Sequence, residues 1–159
     1  MEPSEFRKRK RVGIIGGNSP DIGSIQNARE LGKLIARAGH ILVNGGMGGV
    51  MEASARGARS RGGWVLSILP GQSREEGNPY SDIVIPTGLG YLRNALLVLN
   101  SDILVAIDGS YGTLSEIAYA RIYKKTLFGL NTWDIPGVIS LQTPADVMNR
   151  IQKYFEKKL

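Results

Sequence analysis

The residues able to do chemistry in this chain are few, and most are glycines. Gly109, Gly112 and Thr113 fall where an apolar run gives way to a helical pattern. Backbone N–H groups at such a junction lack intrahelical partners and lie at the positive end of the helix dipole, so they suit a phosphate. The alternative is a tight turn that needs glycine only for its backbone angles. Ser110 and Tyr111 lie in the same loop, and Tyr111 is the aromatic best placed to meet a ligand. Gly45, Gly46, Gly48 and Gly49 fill four of five consecutive positions after another apolar run, where they let a ligand approach the backbone. Gly16, Gly17 and Asn18 follow the first apolar run in the same way. Arg93 can grip a phosphate or carboxylate through two N–H groups, pair with Glu116, or face solvent. Glu116 also has two readings. In Thr113-Leu114-Ser115-Glu116 it completes a capping box with Thr113 as the cap, and a carboxylate there can also face a ligand.

These residues need a scaffold that brings them together, and the apolar pattern supplies one. Short apolar runs at 12–15, 41–43, 65–69, 83–85, 103–107, 127–130 and 138–140 predict strands. Ile22, Ile25, Ala28, Leu31 and Leu34 recur at helical spacing. Ser19 is the expected cap, Pro20 the first helical residue, Asp21 favours the positive helix end, and Ala38-Gly39 is the stop. Further helices are expected over about 50–61, 89–99 and 114–124, with a last one opened by Thr143-Pro144. Strand, glycine turn and helix in repetition mean right-handed βαβ units. The fold class is therefore α/β: a single-domain, Rossmann-like, three-layer α/β/α arrangement with a mostly parallel sheet. Residues 1–10 are expected as a basic tail and 11–159 as the nucleotide-binding domain. Ligands of such sheets bind beyond the carboxyl ends of the strands. That edge gathers residues 16–19, 44–49, 70–71 and 108–113.

Familiar nucleotide sites do not fit. Gly16-Gly17-Asn18-Ser19-Pro20-Asp21-Ile22-Gly23 is not a G-x-G-x-x-G fingerprint, and no acid lies between Glu30 and Glu52 to hold a ribose. No P-loop is present. His40, the only histidine, follows a helix stop at the far end of a strand and reads as structural. With one histidine and no cysteine, neither a metal site nor a Ser-His-Asp triad is expected. Trp64 and Trp133 read as packing residues.

The segment Asp108-Gly109-Ser110-Tyr111-Gly112-Thr113-Leu114-Ser115-Glu116 resembles the P-G-G-x-G-T-x-x-E motif of the LONELY GUY, or "lysine decarboxylase-like", superfamily. Gly45-Gly46-Met47-Gly48-Gly49-Val50-Met51 resembles its G-G-x-x-G-x-M loop, and Arg93-Asn94 its R-[KN] pair. The likeness spans about residues 12–125 and is strongest to the molybdenum-cofactor carrier branch. The resemblance implies a nucleotide or molybdopterin-type ligand, held by a carrier or sensor that requires no cofactor of its own. It also implies an alternative, a phosphoribohydrolase cleaving the N-glycosidic bond of a nucleoside monophosphate, with Arg93 and Glu116 as catalytic residues. Asp108 and Ser110 depart from the motif's proline and glycine. Asp108 places a negative charge beside the phosphate cradle, which fits binding or a different substrate better than that hydrolysis. The family pairs its subunits through the region of helices 89–99 and 114–124, so a homodimer or larger even oligomer is expected.

The net charge of +6 is concentrated at the two ends: residues 1–11 carry +3, residues 151–159 carry +2, and the body between them +1. The basic run at 7–11 has no aromatic residue interleaved with it, so nucleic acid is not the expected partner, and a nucleic-acid-associated role through the basic ends ranks last. No apolar run reaches membrane-spanning length, and no signal-peptide pattern opens the chain, so no membrane partner and a cytoplasmic location are expected.

Overall fold

The computed structural model describes residues 3–158. Helix α1 (Pro3–Lys8) leads into β1 (Arg11–Gly16), α2 (Ile22–Arg37), β2 (Ile41–Asn44), α3 (Val50–Arg59) and β3 (Trp64–Leu69). A 3₁₀ turn at Arg74–Glu76 precedes β4 (Ile83–Pro86), and a second at Gly90–Leu92 runs into α4 (Arg93–Leu99). The chain continues through β5 (Ile103–Ile107), α5 (Tyr111–Ile122), β6 (Leu127–Leu130), β7 (Val138–Leu141) and α6 (Pro144–Glu156).

The seven strands form one parallel sheet in the order β4-β3-β2-β1-β5-β6-β7. Alternation along the strands divides the core into two layers. Val12, Ile14, Ile103, Val105 and Ile107 face α2, α3 and α6. Ile15, Leu104 and Ala106 face α4 and α5. The inner strands β1, β2, β5 and β6 are covered on both faces, which is why they read as continuous apolar runs, whereas the edge strands β4 and β7 leave Ile83, Ile85 and Ile139 exposed. On one face α2 and α3 meet almost backbone to backbone. A Cβ at Gly57 would collide with the Arg29 carbonyl oxygen, and one at Gly32 with that of Ser54. No helix among the described residues is long and apolar enough to cross a membrane.

Two helix starts differ from expectation. The cap of α2 is Asp21, not Ser19: its Oδ1 accepts from Ser24 N at 2.6 Å. Pro20 therefore precedes the helix, and the cap is fixed by Asp108, whose Oδ2 accepts from Asp21 N at 3.2 Å. The capping box at Thr113–Glu116 does not form, because α5 starts earlier, with Ser110 as its cap residue. That places Thr113 inside the first turn and directs Glu116 into the protein. The region expected as one helix over 89–99 divides at Arg93 into a 3₁₀ turn and α4. The Thr143 cap and Pro144 stand as expected.

Candidate functional site

Strand order reverses between β1 and β5: β1 connects outward to β2, whereas β5 connects to β6 on the other side. Gly16 and Ile107 are register partners at the carboxyl end of this pair. The chains leaving them must diverge, and a cleft opens between them. It is narrow, with about 80 Å³ of room for solvent. Gly16, Gly17 and Asn18 line one side, and Ser110, Gly112 and Thr113 the other. Arg93, Asn94 and Glu116 complete it together with Met51 and Tyr91.

The loop at 45–49 stands behind this cleft rather than on its surface. Val50 N donates to Gly17 O at 3.0 Å, and a Cβ at Gly49 (φ 61°) would collide with that same oxygen. Gly45 leaves room for the arginine, since a Cβ there would stand 2.6 Å from Arg93 Nη2. Gly46 (φ 74°) packs under Leu69 and Ser67, and only Gly48 faces open space. Asn44 organises this loop. It is fully buried, accepts from Gly46 N and Ser67 Oγ at 2.9 Å, and donates to Met51 O at 2.9 Å.

Arg93 and Glu116 are both buried in the cleft, with Arg93 Nη1 3.7 Å from Glu116 Oε1. Burial drives the Glu116 carboxyl up to about 8, and the opposing pull of Arg93 is too weak at this distance to restore it. Burial also lowers Arg93 from its usual range, with Glu116 acting against it. Nη1 reaches Asn94 Oδ1 and Nη2 reaches Gly45 O at 3.5 Å, but the buried Nε has no partner. Asn94 ties α4 to α5 by donating to Ser115 Oγ at 2.8 Å and Gly112 O at 3.3 Å.

Helices α2 and α6 carry side-chain caps at their first turns, but α3 and α5 do not. The start of α5, at Ser110, Gly112 and Thr113, lines this cleft and brings N–H donors beside Arg93, whereas α3 contributes only Met51, its first N–H at Val50 being taken by Gly17 O. Asp108 acts in the opposite sense. Held at φ 53°, it turns its carboxylate onto the backbone, accepting from Gly109 N at 2.7 Å and Asp21 N at 3.2 Å. Two donors beside the cleft are thereby satisfied from within the chain. Gly109 (φ 115°) has its Cβ position filled by Thr113.

Tyr111 and Tyr91 are each 81% exposed at the rim. Tyr111 lies 6.1 Å from Trp133, whose Nε1 donates to Ser110 O at 3.3 Å. Trp133 thus packs on the core, as expected, and also supports the α5 loop. Tyr91 is a cleft residue that sequence reasoning missed, and its place two residues before Arg93 is the signal that pointed to it. His40 stands at the start of β2, edge-on to Phe155 at 5.2 Å and away from the cleft.

Residues 9–156 match the SLOG cluster4 family. An uncharacterized protein of Archaeoglobus fulgidus is 43% identical over 143 residues, covering 89% of this chain and 94% of that one. The structure of the molybdenum cofactor binding protein from Rippkaea orientalis superposes with a TM-score of 0.89 at 31% identity, covering 93% of this chain and 98% of that one. A cytokinin riboside 5'-monophosphate phosphoribohydrolase of Mycobacterium tuberculosis is 30% identical over 118 residues, 69% of this chain, which spans 63% of that enzyme's length.

Proposed function

We propose, from the premise that this chain belongs to the SLOG cluster4 family, that it holds a phosphate-bearing nucleotide or molybdopterin-type ligand without turning it over. One observation carries this reading: the uncapped start of α5 lines the cleft that contains Arg93. Free N–H groups at the positive end of a helix, beside a buried guanidinium, suit a phosphate. The likeness to a molybdenum cofactor binding protein supports the choice of ligand. The chain has no cysteine, so the phosphate is the handle this site offers such a cargo. Asp108 argues for holding over hydrolysis, because it occupies donors that a substrate phosphate would otherwise use.

A second reading has its own observation. Glu116, raised to about 8 and facing Arg93, retains a proton that a departing base needs, and a carboxylate there also stabilises an oxocarbenium-like sugar. The likeness to the mycobacterial phosphoribohydrolase supports it. One experiment separates the two: incubation of the protein with a panel of nucleoside monophosphates, with thermal shift and free base measured together. Stabilisation without base release supports holding. Base release that Glu116→Gln abolishes replaces it with hydrolysis.

We further propose pairing of two copies through the α4–α5 region, where Leu92 and Ile122 are 68% and 67% exposed. Sedimentation of Leu92→Arg against the parent chain tests it.

A further inference from the structure

Because every strand is parallel, the starts of β1, β2, β5 and β6 share the end of the sheet opposite the cleft, roughly 15–20 Å away at ~3.3 Å per strand residue. Two open hollows of about 1080 and 700 Å³ adjoin there and share Lys10 and Asp102 as walls. The basic run at 7–11 lines the first, and Lys124, Lys125 and Lys158 line the second. Among the described residues, the ion pairs are Lys33–Glu30, Arg59–Asp82 and Arg93–Glu116, so none of these eight cations has a carboxylate within 4.0 Å. Asp102 is the one acid lining the hollows, and its Oδ2 is already engaged by Arg11 N at 2.7 Å. Glu5 and Glu156 are exposed on the flanking helices.

Aromatic rings lie among these charges. Along the chain the basic run has none interleaved; Phe6 stands directly before it, and folding brings Trp64, Tyr123 and Tyr154 from elsewhere. Phe6 lines the first hollow, seated edge-on against Trp64 at 5.4 Å. Tyr154 and Tyr123 line the second, and Tyr123 is 40% exposed with one face backed by Tyr119 in a nearly parallel stack. Lys158 Nζ sits 4.5 Å over the Tyr154 ring. A track of cations without carboxylate partners attracts a polyanion, with Lys125 Nζ also donating to Ser101 O at 2.7 Å and Arg11 Nη1 to Asn100 Oδ1 at 3.3 Å, and a ring face between them accepts an unstacked base. Rings set into hollows suit unpaired bases better than a bilayer or a closed duplex.

We propose that this end of the sheet binds single-stranded nucleic acid, with the basic run at 7–11, Lys124, Lys125 and Lys158 on the phosphates and Tyr123 as a stacking platform. The surface is separate from the glycine cleft, so either assignment can fail without the other.

The test is fluorescence anisotropy of the full chain with a labelled single-stranded RNA of about 20 nucleotides. Affinity should fall steeply with salt, by about −0.7 in logarithmic slope for each phosphate contact. The triple variant Lys10→Gln, Lys124→Gln, Lys158→Gln should flatten that slope by about 2 and weaken binding on the order of 10-fold at low salt. Its cooperative thermal unfolding should match that of the parent chain, which shows that it folds. Tyr123→Ala should weaken the single strand about 5- to 10-fold but leave binding to a duplex of the same length unchanged. His40 provides an internal reporter. Burial, then Lys10, then Arg9 lower its pKa, with Asp102 opposing, so phosphates neutralising those cations should raise it in ring NMR spectra. The proposal is overturned by no binding at low salt, by equal binding of the triple variant, by duplex binding as tight as single-strand binding, or by tighter binding to phosphatidylserine vesicles than to RNA.

Discussion

Glu116 should make the protein less stable as pH rises, and Glu116→Gln should remove that dependence. The folded chain holds the Glu116 proton up to about pH 8, whereas an unfolded glutamate releases it near its ordinary value of 4.5. Between those values the folded state binds more protons than the unfolded one, so unfolding free energy falls with pH. The slope approaches about 1.4 kcal/mol per pH unit. Between about pH 5.5 and 7.5 the parent chain should therefore lose ~2–3 kcal/mol relative to Glu116→Gln, whose amide does not titrate. His40 titrates in both proteins and cancels. Urea unfolding of both chains at three pH values across that window measures the difference. A difference constant to within ~0.5 kcal/mol would mean that Glu116 is already ionised in the fold. Arg93 would then outweigh burial, and the protonated-acid role in the second functional reading would be lost.

Asp108→Asn should tighten phosphate binding, since asparagine tolerates the φ of 53° and still caps Gly109 N while losing the charge. Removing a charge ~5 Å from the anion in a half-wet site is worth about 1 kcal/mol, or roughly 5-fold in affinity, read by thermal shift with AMP. Gly57→Ala should destabilise the fold by ~1–3 kcal/mol in urea. The helix-propensity gain of about 1 kcal/mol is outweighed by forcing α3 off the Arg29 carbonyl. Gly48→Ala, which meets open space, should be tolerated, and a loss comparable to Gly57→Ala would contradict the packing account.

The sheet was legible in the sequence because strands covered on both faces leave unbroken apolar runs. Those at Ile103–Ile107 and Leu127–Leu130 match the structure to the residue. Thr143-Pro144 was legible because cap and first-turn chemistry are local. The start of α2 was not, because it depends on Asp108, 87 residues from Asp21, and the start of α5 was not, because its cap residue Ser110 makes no side-chain cap bond. Ser19, Pro20 and Asp21 are all acceptable helix-start residues, and a tertiary hydrogen bond decides among them. The glycines at 45–49 lie at the carboxyl end of β2 as expected, but behind the cleft rather than on its surface, and their purposes are not local. Gly45 yields space to an arginine 48 residues away, and Gly49 yields space to the backbone at Gly17. Composition registers that a loop is crowded without telling what crowds it.

The same reasoning gives Arg93 and Glu116 their weight. A pair held at 3.7 Å, with a buried Nε unsatisfied and a carboxyl driven up by burial, is a poor device for stability. Desolvating both groups costs several kcal/mol per ion, and an apolar pair of similar volume would fold as well or better. The surroundings nevertheless favour the arginine at every point: Gly45 makes room for it, Asn94 and the Gly45 carbonyl hold its terminal nitrogens, and α4 begins at it. Asp108 meanwhile satisfies nearby donors from within, which leaves the uncapped start of α5 as the N–H-rich wall of the cleft. A guanidinium incompletely satisfied inside the protein, next to a helix start that lacks a side-chain cap, is what the proposed ligand would complete by bringing its own negative charge.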